Sequence, residues 1–313
     1  MAVAPRWACY ASGPGRRMPG PGARQEGLQR TSTYTPRMAW HAQLQLDYSR
    51  LSDRTDVRHR HQGPLRILQS LYPEGKAICH NVLVHPPGGL VGGDTLDVTI
   101  TGGDASHGLV TTPGATRFYK SLGEPALQRT QIRLAAGARL EWLPQEAICY
   151  SGCMAENRLE MDLAAGAELM GWDVTALGLP AAQQAFERGY LQQHIALAGA
   201  WLERGRIDAL DQRLLHGPLG LGDHSCLATI FFCGGAKLQR DRVQALLDGA
   251  RAVIDRHALR ASAGATSPND QVVLVRVLAS LVEPAMDLLR QLRAAWRQQA
   301  WQLSAHTPRI WAT

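Results

Sequence analysis

Lysine is nearly missing from this chain. Of its 33 basic residues only Lys76, Lys120 and Lys237 are lysines, and the other 30 are arginines. Acids are scarce at the start. Arg6, Arg16, Arg17, Arg24, Arg30 and Arg37 face a single Glu26, so residues 1–37 hold +5 of the formal charge of +6. The remainder is close to neutral, which argues against a folded basic face for nucleic acid. No apolar run approaches the roughly 20 residues of a membrane-spanning helix, and no secretory apolar segment is visible. Six cysteines in 313 residues are too few for a disulfide scaffold. They are expected as reduced thiols in a soluble, cytoplasmic protein that contacts no membrane.

Catalytic signatures are also missing. Gly75-Lys76 is followed by Ala77 and lacks the upstream glycine, so it cannot cradle a phosphate. Gly88-Gly89-Leu-Val-Gly92-Gly93 lacks the dinucleotide spacing and runs into a strand pattern rather than a helix. No H-E-x-x-H, G-x-S-x-G or C-x-x-C occurs. The common hydrolases and zinc sites are thereby disfavoured. An enzyme on a β scaffold would still need a nucleophile and a base brought together by the fold.

What is present is period-two alternation. Trp40, Ala42, Leu44, Leu46 and Tyr48 share one parity and polar residues the other, which predicts a half-buried strand. The same pattern recurs at Leu96–Ile100 and Leu159–Leu163. Leu134-Ala-Ala-Gly-Ala-Arg-Leu-Glu-Trp142 is echoed by Leu163-Ala-Ala-Gly-Ala-Glu-Leu-Met-Gly-Trp172 and more loosely by Leu197–Leu202. Alternation stops at each glycine and resumes, as a tight hairpin or corner requires. The spacing of about 30 residues suits stacked β units. The expectation is therefore a mainly β fold of layered antiparallel strands, for which β-solenoid-like stacking is one arrangement.

Two helices are expected near the end. Val243, Leu246, Leu247, Ala250, Val253 and Ile254 mark one over about 240–258. Gly264 and Pro268 interrupt the chain, and Val272–Val277 reads as a buried strand. Pro284 opens the second helix, with Leu288, Leu289, Leu292 and Trp296 inward and Arg290, Arg293 and Arg297 mostly outward. Residues 1–37, rich in glycine and proline, read as a disordered tail. Residues 38–313 carry no linker and read as one domain.

The densest constellation is His85-Pro86-Pro87-Gly88-Gly89-Leu-Val-Gly92-Gly93-Asp94. One reading is a long turn in which Asp94 bonds neighbouring amides. The other is a backbone-lined passage or groove with His85 and Asp94 at its mouth. Thr111-Thr-Pro-Gly114-Ala-Thr-Arg117-Phe-Tyr119-Lys-Ser121 turns at Pro113-Gly114 and then alternates charge and aromatic, as either a solvated strand or a binding face would. Cys149 and Cys153 lie four apart and read as buried thiols rather than metal ligands.

These stretches, with Leu140-Glu-Trp-Leu-Pro-Gln-Glu146, Gly171-Trp-Asp173, Arg188-Gly189, Pro218-Leu-Gly-Leu-Gly222 and Arg309-Ile-Trp311, resemble the urease accessory protein D family, called H in some organisms. The resemblance spans about residues 40–313. It implies a non-enzymatic chaperone that acts with accessory protein F and the GTPase accessory protein G on apo-urease. Ni²⁺ would be in transit only, no cofactor would be permanently bound, and GTP would be bound by the partner GTPase. For transient nickel contact, imidazole and carboxylate suit an ion that must be released, which favours His85 and Asp94 with Glu146 as a third. Thr112-Pro113 departs from the Thr-Gln expected in the family. Cys149 and Cys153 stand where apolar or small residues are expected, so the resemblance gives them no ligand role.

Overall fold

The computed structural model describes residues 39–312; the expected 1–37 tail lies outside them. The chain enters as β1 (His41–Leu51), returns as β2 (Arg54–Gln62), and crosses to a second sheet as β3 (Arg66–Leu71) and β4 (Cys79–Val84). Three coils follow. The first is β5 (Thr95–Gly102), β6 (His107–Thr111) and β7 (Thr116–Phe118). The second is β8 (Ala126–Leu134), β9 (Arg139–Leu143) and β10 (Ala147–Cys149), and the third is β11 (Cys153–Leu163) and β12 (Glu168–Leu177). A fourth begins with β13 (Gly189–Leu197), but β14 (Trp201–Asp208) folds back on it as a hairpin.

Each coil places one strand in either sheet, so neighbours in a sheet come from successive coils and run the same way. β5, β8, β11 and β13 pair in parallel, as do β4, β6, β9 and β12. Gly102, Leu134 and Leu163 stack in register, so one coil takes 32 residues and the next 29. The fold is mainly β with solenoid-like stacking, as expected. The pairing direction differs from the antiparallel expectation, because local alternation reports which face is buried and not which way the neighbour runs. The first two glycine echoes are corners into the opposite sheet. At each, an alanine amide bonds the carbonyl three residues back (Ala138 to Ala135, Ala167 to Ala164), with Gly137 (φ +66°) or Gly166 (φ +81°) in the left-handed region. The third echo closes the β13–β14 hairpin.

A short third side stacks Leu90 on Phe118, Phe118 on Cys149 and Cys149 on Leu177, all buried. Inside the coils lies the first core, including Leu44, Leu46, Val98, Ile100, Ile132 and Trp142. The second sheet is extended antiparallel by β15 (Cys226–Gly234), β16 (Ala263–Asn269) and β17 (Val272–Ala279). Gly264 and Pro268 fall within β16 rather than breaking the chain. An edge strand with an irregular register tolerates both. A short helix, α1 (Gln212–His216), had no counterpart in the expectation.

The two long helices, α2 (Arg240–Ile254) and α3 (Val282–Trp301), cover the outer face of the second sheet. Met170, Trp172 and Val174 meet Leu246, Leu289, Leu292 and Trp296 there. Neither helix is long and apolar enough to cross a membrane. Arg293 and Arg297, expected outward, are buried at 2% and 0% exposure. The reason is Glu141 on the outer face of β9. Arg293 Nε donates to Glu141 Oε2 at 2.6 Å, and Arg297 bridges Glu141 and Glu74. Glu74 in turn meets His80 Nε2 at 2.8 Å. Two cations and two carboxylates share one desolvated space, so each charge depends on the others.

Burial pushes the Glu141 carboxyl up, but Arg293, His107 and Arg297 outweigh it and bring it down to about 2. Its contribution is therefore complete above its ordinary value of 4.5 and is lost as pH falls towards 2. Glu141→Leu should leave the buried Arg293 without a carboxylate and Arg297 with Glu74 alone, and cost about 3–5 kcal/mol. A urea midpoint at neutral pH within experimental error of the wild type would show that α3 does not depend on this carboxylate.

Candidate functional site

The glycine-rich loop and the Thr111–Ser121 stretch form one packed unit. Pro86-Pro87 occupy the centre of a turn closed by the Gly88 amide to the His85 carbonyl at 2.9 Å. Gly88 (φ +74°) and Gly93 (φ +90°) hold the left-handed conformations. Gly89 and Gly92 are demanded by space instead. A Cβ at Gly89 would lie 2.8 Å from the Arg117 carbonyl and 2.4 Å from the Tyr119 ring, and one at Gly92 would lie 2.5 Å from the Glu124 carbonyl. Leu90 then exchanges backbone hydrogen bonds with Arg117 and Tyr119. Gly114, by contrast, has open space around it.

Asp94 has the turn role. Its Oδ1 accepts from the Trp40 amide and its Oδ2 from the Val91 amide, both at 2.9 Å. His85 is an electrostatic neighbour. Burial lowers the imidazole's pKa, Asp94 partly opposes this, and the neutral form with a free lone pair is favoured. His85 lines a cavity of about 190 Å³ together with Gly88, Thr116, Arg117, Gln128 and Trp142. Glu146 lines a different depression with Ile148, Ser225 and Glu283. Among the described residues no three His, Cys, Asp or Glu side chains converge on one cation position. Cys149 and Cys153 are free, fully buried thiols. A hydrogen bond with Cys153, and burial, push Cys149 well up, so it is a poor thiolate.

From the His85 cavity a polar column runs through the solenoid. Gln128 on β8, Asn157 on β11 and Gln193 on β13 occupy one rung in register, and all three point inward. Thr116 Oγ1 donates to Gln128 Oε1, and Gln128 Nε2 to Asn157 Oδ1, each at 3.4 Å. Asn157 Nδ2 donates to Asp173 Oδ2 at 2.7 Å, and Gln193 Nε2 donates to Asp173 Oδ1. Donors thus converge on one carboxylate from both sides, and aligned donors polarise one another.

Among the described residues Asp173 forms no ion pair, and no cation figures among the groups that shift it. Burial raises its carboxyl, the bonds from Gln193 and Asn157 lower it, Glu203 raises it again, and the balance stands at about 6. At neutral pH it is an ionised carboxylate deep in the fold with no counter-charge, beside amide oxygens that suit a cation of borderline or hard character. In the sequence Asp173 stands out only within Gly171-Trp-Asp173, and Gln128, Asn157 and Gln193 belong to no motif. Each breaks the apolar parity of its strand, and that was the available signal. Gln128 falls between Ala126 and Thr130, Asn157 between Ala155 and Leu159, and Gln193 between Leu191 and Ile195.

Fold and site together define a parallel β-solenoid whose apolar interior is crossed by one polar column, carrying none of the nucleotide or zinc signatures of the common enzymes. Residues 41–312 match the family described as UreD urease accessory protein. The chain is 67% identical over 276 residues to the urease accessory protein UreD of Variovorax paradoxus (strain S110), which covers 88% of this chain and all of that relative. It is 66% identical over 275 residues to that of Polaromonas naphthalenivorans (strain CJ2) and 48% over 296 residues to that of Methylibium petroleiphilum (strain ATCC BAA-1232 / LMG 22953 / PM1), with the same coverage. The chain belongs to the UreD family of urease accessory proteins, which implies a role in urease maturation. Its relatives are named as accessory proteins and not as catalysts.

Two outcomes follow from this geometry. Gly89→Val must displace Tyr119 or the Arg117 backbone and should cost about 1–3 kcal/mol; an unchanged thermal midpoint would mean the loop yields freely. Asp173 binds its proton more tightly folded than at its ordinary 3.8, so stability falls as pH rises from about 3.8 to about 6 and the full penalty stands above. Asp173→Asn, with one amide flipped to match, should therefore raise the thermal midpoint at pH 7.5 by more than at pH 5. A variant destabilised equally at both values would contradict this.

Proposed function

We propose that this chain is a non-enzymatic chaperone that conducts Ni²⁺ towards the active site of apo-urease. It would work in the cytoplasm within a complex containing accessory protein F and the GTPase accessory protein G. The observation that carries this reading is the internal column ending on an ionised carboxylate with no counter-cation. A chain that only bridged partners would have no use for such a group, which costs stability at neutral pH. Nickel is cargo here. A run of amide, hydroxyl and carboxylate oxygens offers exchangeable contacts, whereas converging thiolates would hold the ion too firmly. His85, favoured as neutral imidazole, stands at the mouth and Asp173 inside. Asp94 serves the mouth by fixing its turn. GTP hydrolysis falls to the G partner, in keeping with the missing phosphate loop.

The test is urease activation in cells at limiting nickel, with complex formation followed by pull-down. Gln128→Leu and Asn157→Leu should keep the complex with accessory protein F but lower activation and urease nickel content several-fold. His85→Ala should act in the same direction, and Cys149→Ser with Cys153→Ser should leave activation intact. Full activation by both column variants would defeat the reading.

A further inference from the structure

Among the described residues β2 is the edge strand of its sheet. It carries His59 and His61, the one His-x-His spacing among the eleven histidines. Residues two apart on a strand project to the same side. Here the two rings lie nearly parallel, with planes 18° apart and centroids 6.2 Å apart. Both residues are exposed. Among the described residues neither ring has a hydrogen-bond or ion-pair partner, and the one ring contact of each is with the other. Other surface histidines are engaged: His41 meets Asp97 and His216 meets Asp223. Arg58 and Arg60 alternate to the opposite face, in register with Asp47 and Gln45.

We infer that His59 and His61 form a surface chelate for a borderline divalent cation, Ni²⁺ foremost, at the rim of the solenoid. Imidazole nitrogen suits Ni²⁺, Cu²⁺ and Zn²⁺ and does not suit Mg²⁺. Modest rotation of two exposed, unengaged side chains brings both rings to one ion. Two protein ligands leave the other coordination positions to water, so the ion exchanges readily. That makes a collecting site rather than a store. The choice of Ni²⁺ rests on the function proposed above, while the chelate rests on the two rings alone.

Equilibrium dialysis of the purified full-length chain against NiSO₄, with bound metal measured by atomic absorption, tests the site. The His59→Asn/His61→Asn double variant should bind one fewer Ni²⁺ per chain than the wild type. Each single variant should lose most of that affinity, and His41→Asn should lose none. Cu²⁺ should displace Ni²⁺ from the site, and excess Mg²⁺ should not. Equal Ni²⁺ binding by wild type and double variant, or displacement by Mg²⁺, would overturn the inference. Circular dichroism of the double variant confirms that its fold is retained. The readout is metal bound per chain and not urease activation, so this site can fail while the internal passage stands, and the reverse.

Discussion

Glu141 has no water to lean on, and much of the molecule is arranged around that fact. It sits on the outer face of β9, where a solenoid would ordinarily meet solvent, and it is held as an anion chiefly by Arg293 and Arg297 approaching from α3, with His107 beside it. The helix is thereby fixed in position and rotation. Once α3 is fixed, Trp296 can donate to the Leu246 carbonyl and hold α2 beside it. The C-terminal turn then returns over the sheet, and Trp311 Nε1 reaches Thr111 Oγ1 at 2.8 Å. Replacing such a network wholesale with apolar residues need not cost stability, whereas removing one member does. What the network gives this protein is a single docking geometry for its helical layer.

The interior holds the opposite arrangement. Among the described residues Glu141 is matched by cations and Asp173 by none, although both carboxylates are enclosed. Glu141 is drawn down to about 2 and Asp173 is pushed up to about 6. Environment and not residue type sets the two carboxylates apart. The polar column also interrupts a core that could have been wholly apolar, and its cost is the mark of a group kept for something other than folding.

Much of this could be read from the amino acids. β1, β5, β11 and both long helices lie where periodicity placed them, because each buries one face, and β17, buried on both, lies where its β-branched run placed it. The parallel pairing could not be read, since a corner such as Ala135–Ala138 and a hairpin such as Ala198–Trp201 share almost the same residues. Arg293 and Arg297 were misplaced because a buried charge needs a partner from 152 or more residues away, which no local pattern reports. The glycine loop was half legible. Its turn character was plain, but that Gly89 and Gly92 yield to Tyr119 and Glu124 depends on a segment folded against them.

The hairpin at β14 has one more consequence. A stack of parallel coils is open-ended in principle, because each new strand offers the next an unsatisfied row of amides and carbonyls, as in a growing fibril. β13 would continue the series, but its chain reverses and lays β14 antiparallel against the exposed row. β14 carries Glu203, Arg204, Arg206 and Asp208, charges that oppose the docking of a further strand. The same reversal that ends the stack of parallel coils also keeps one molecule from templating another.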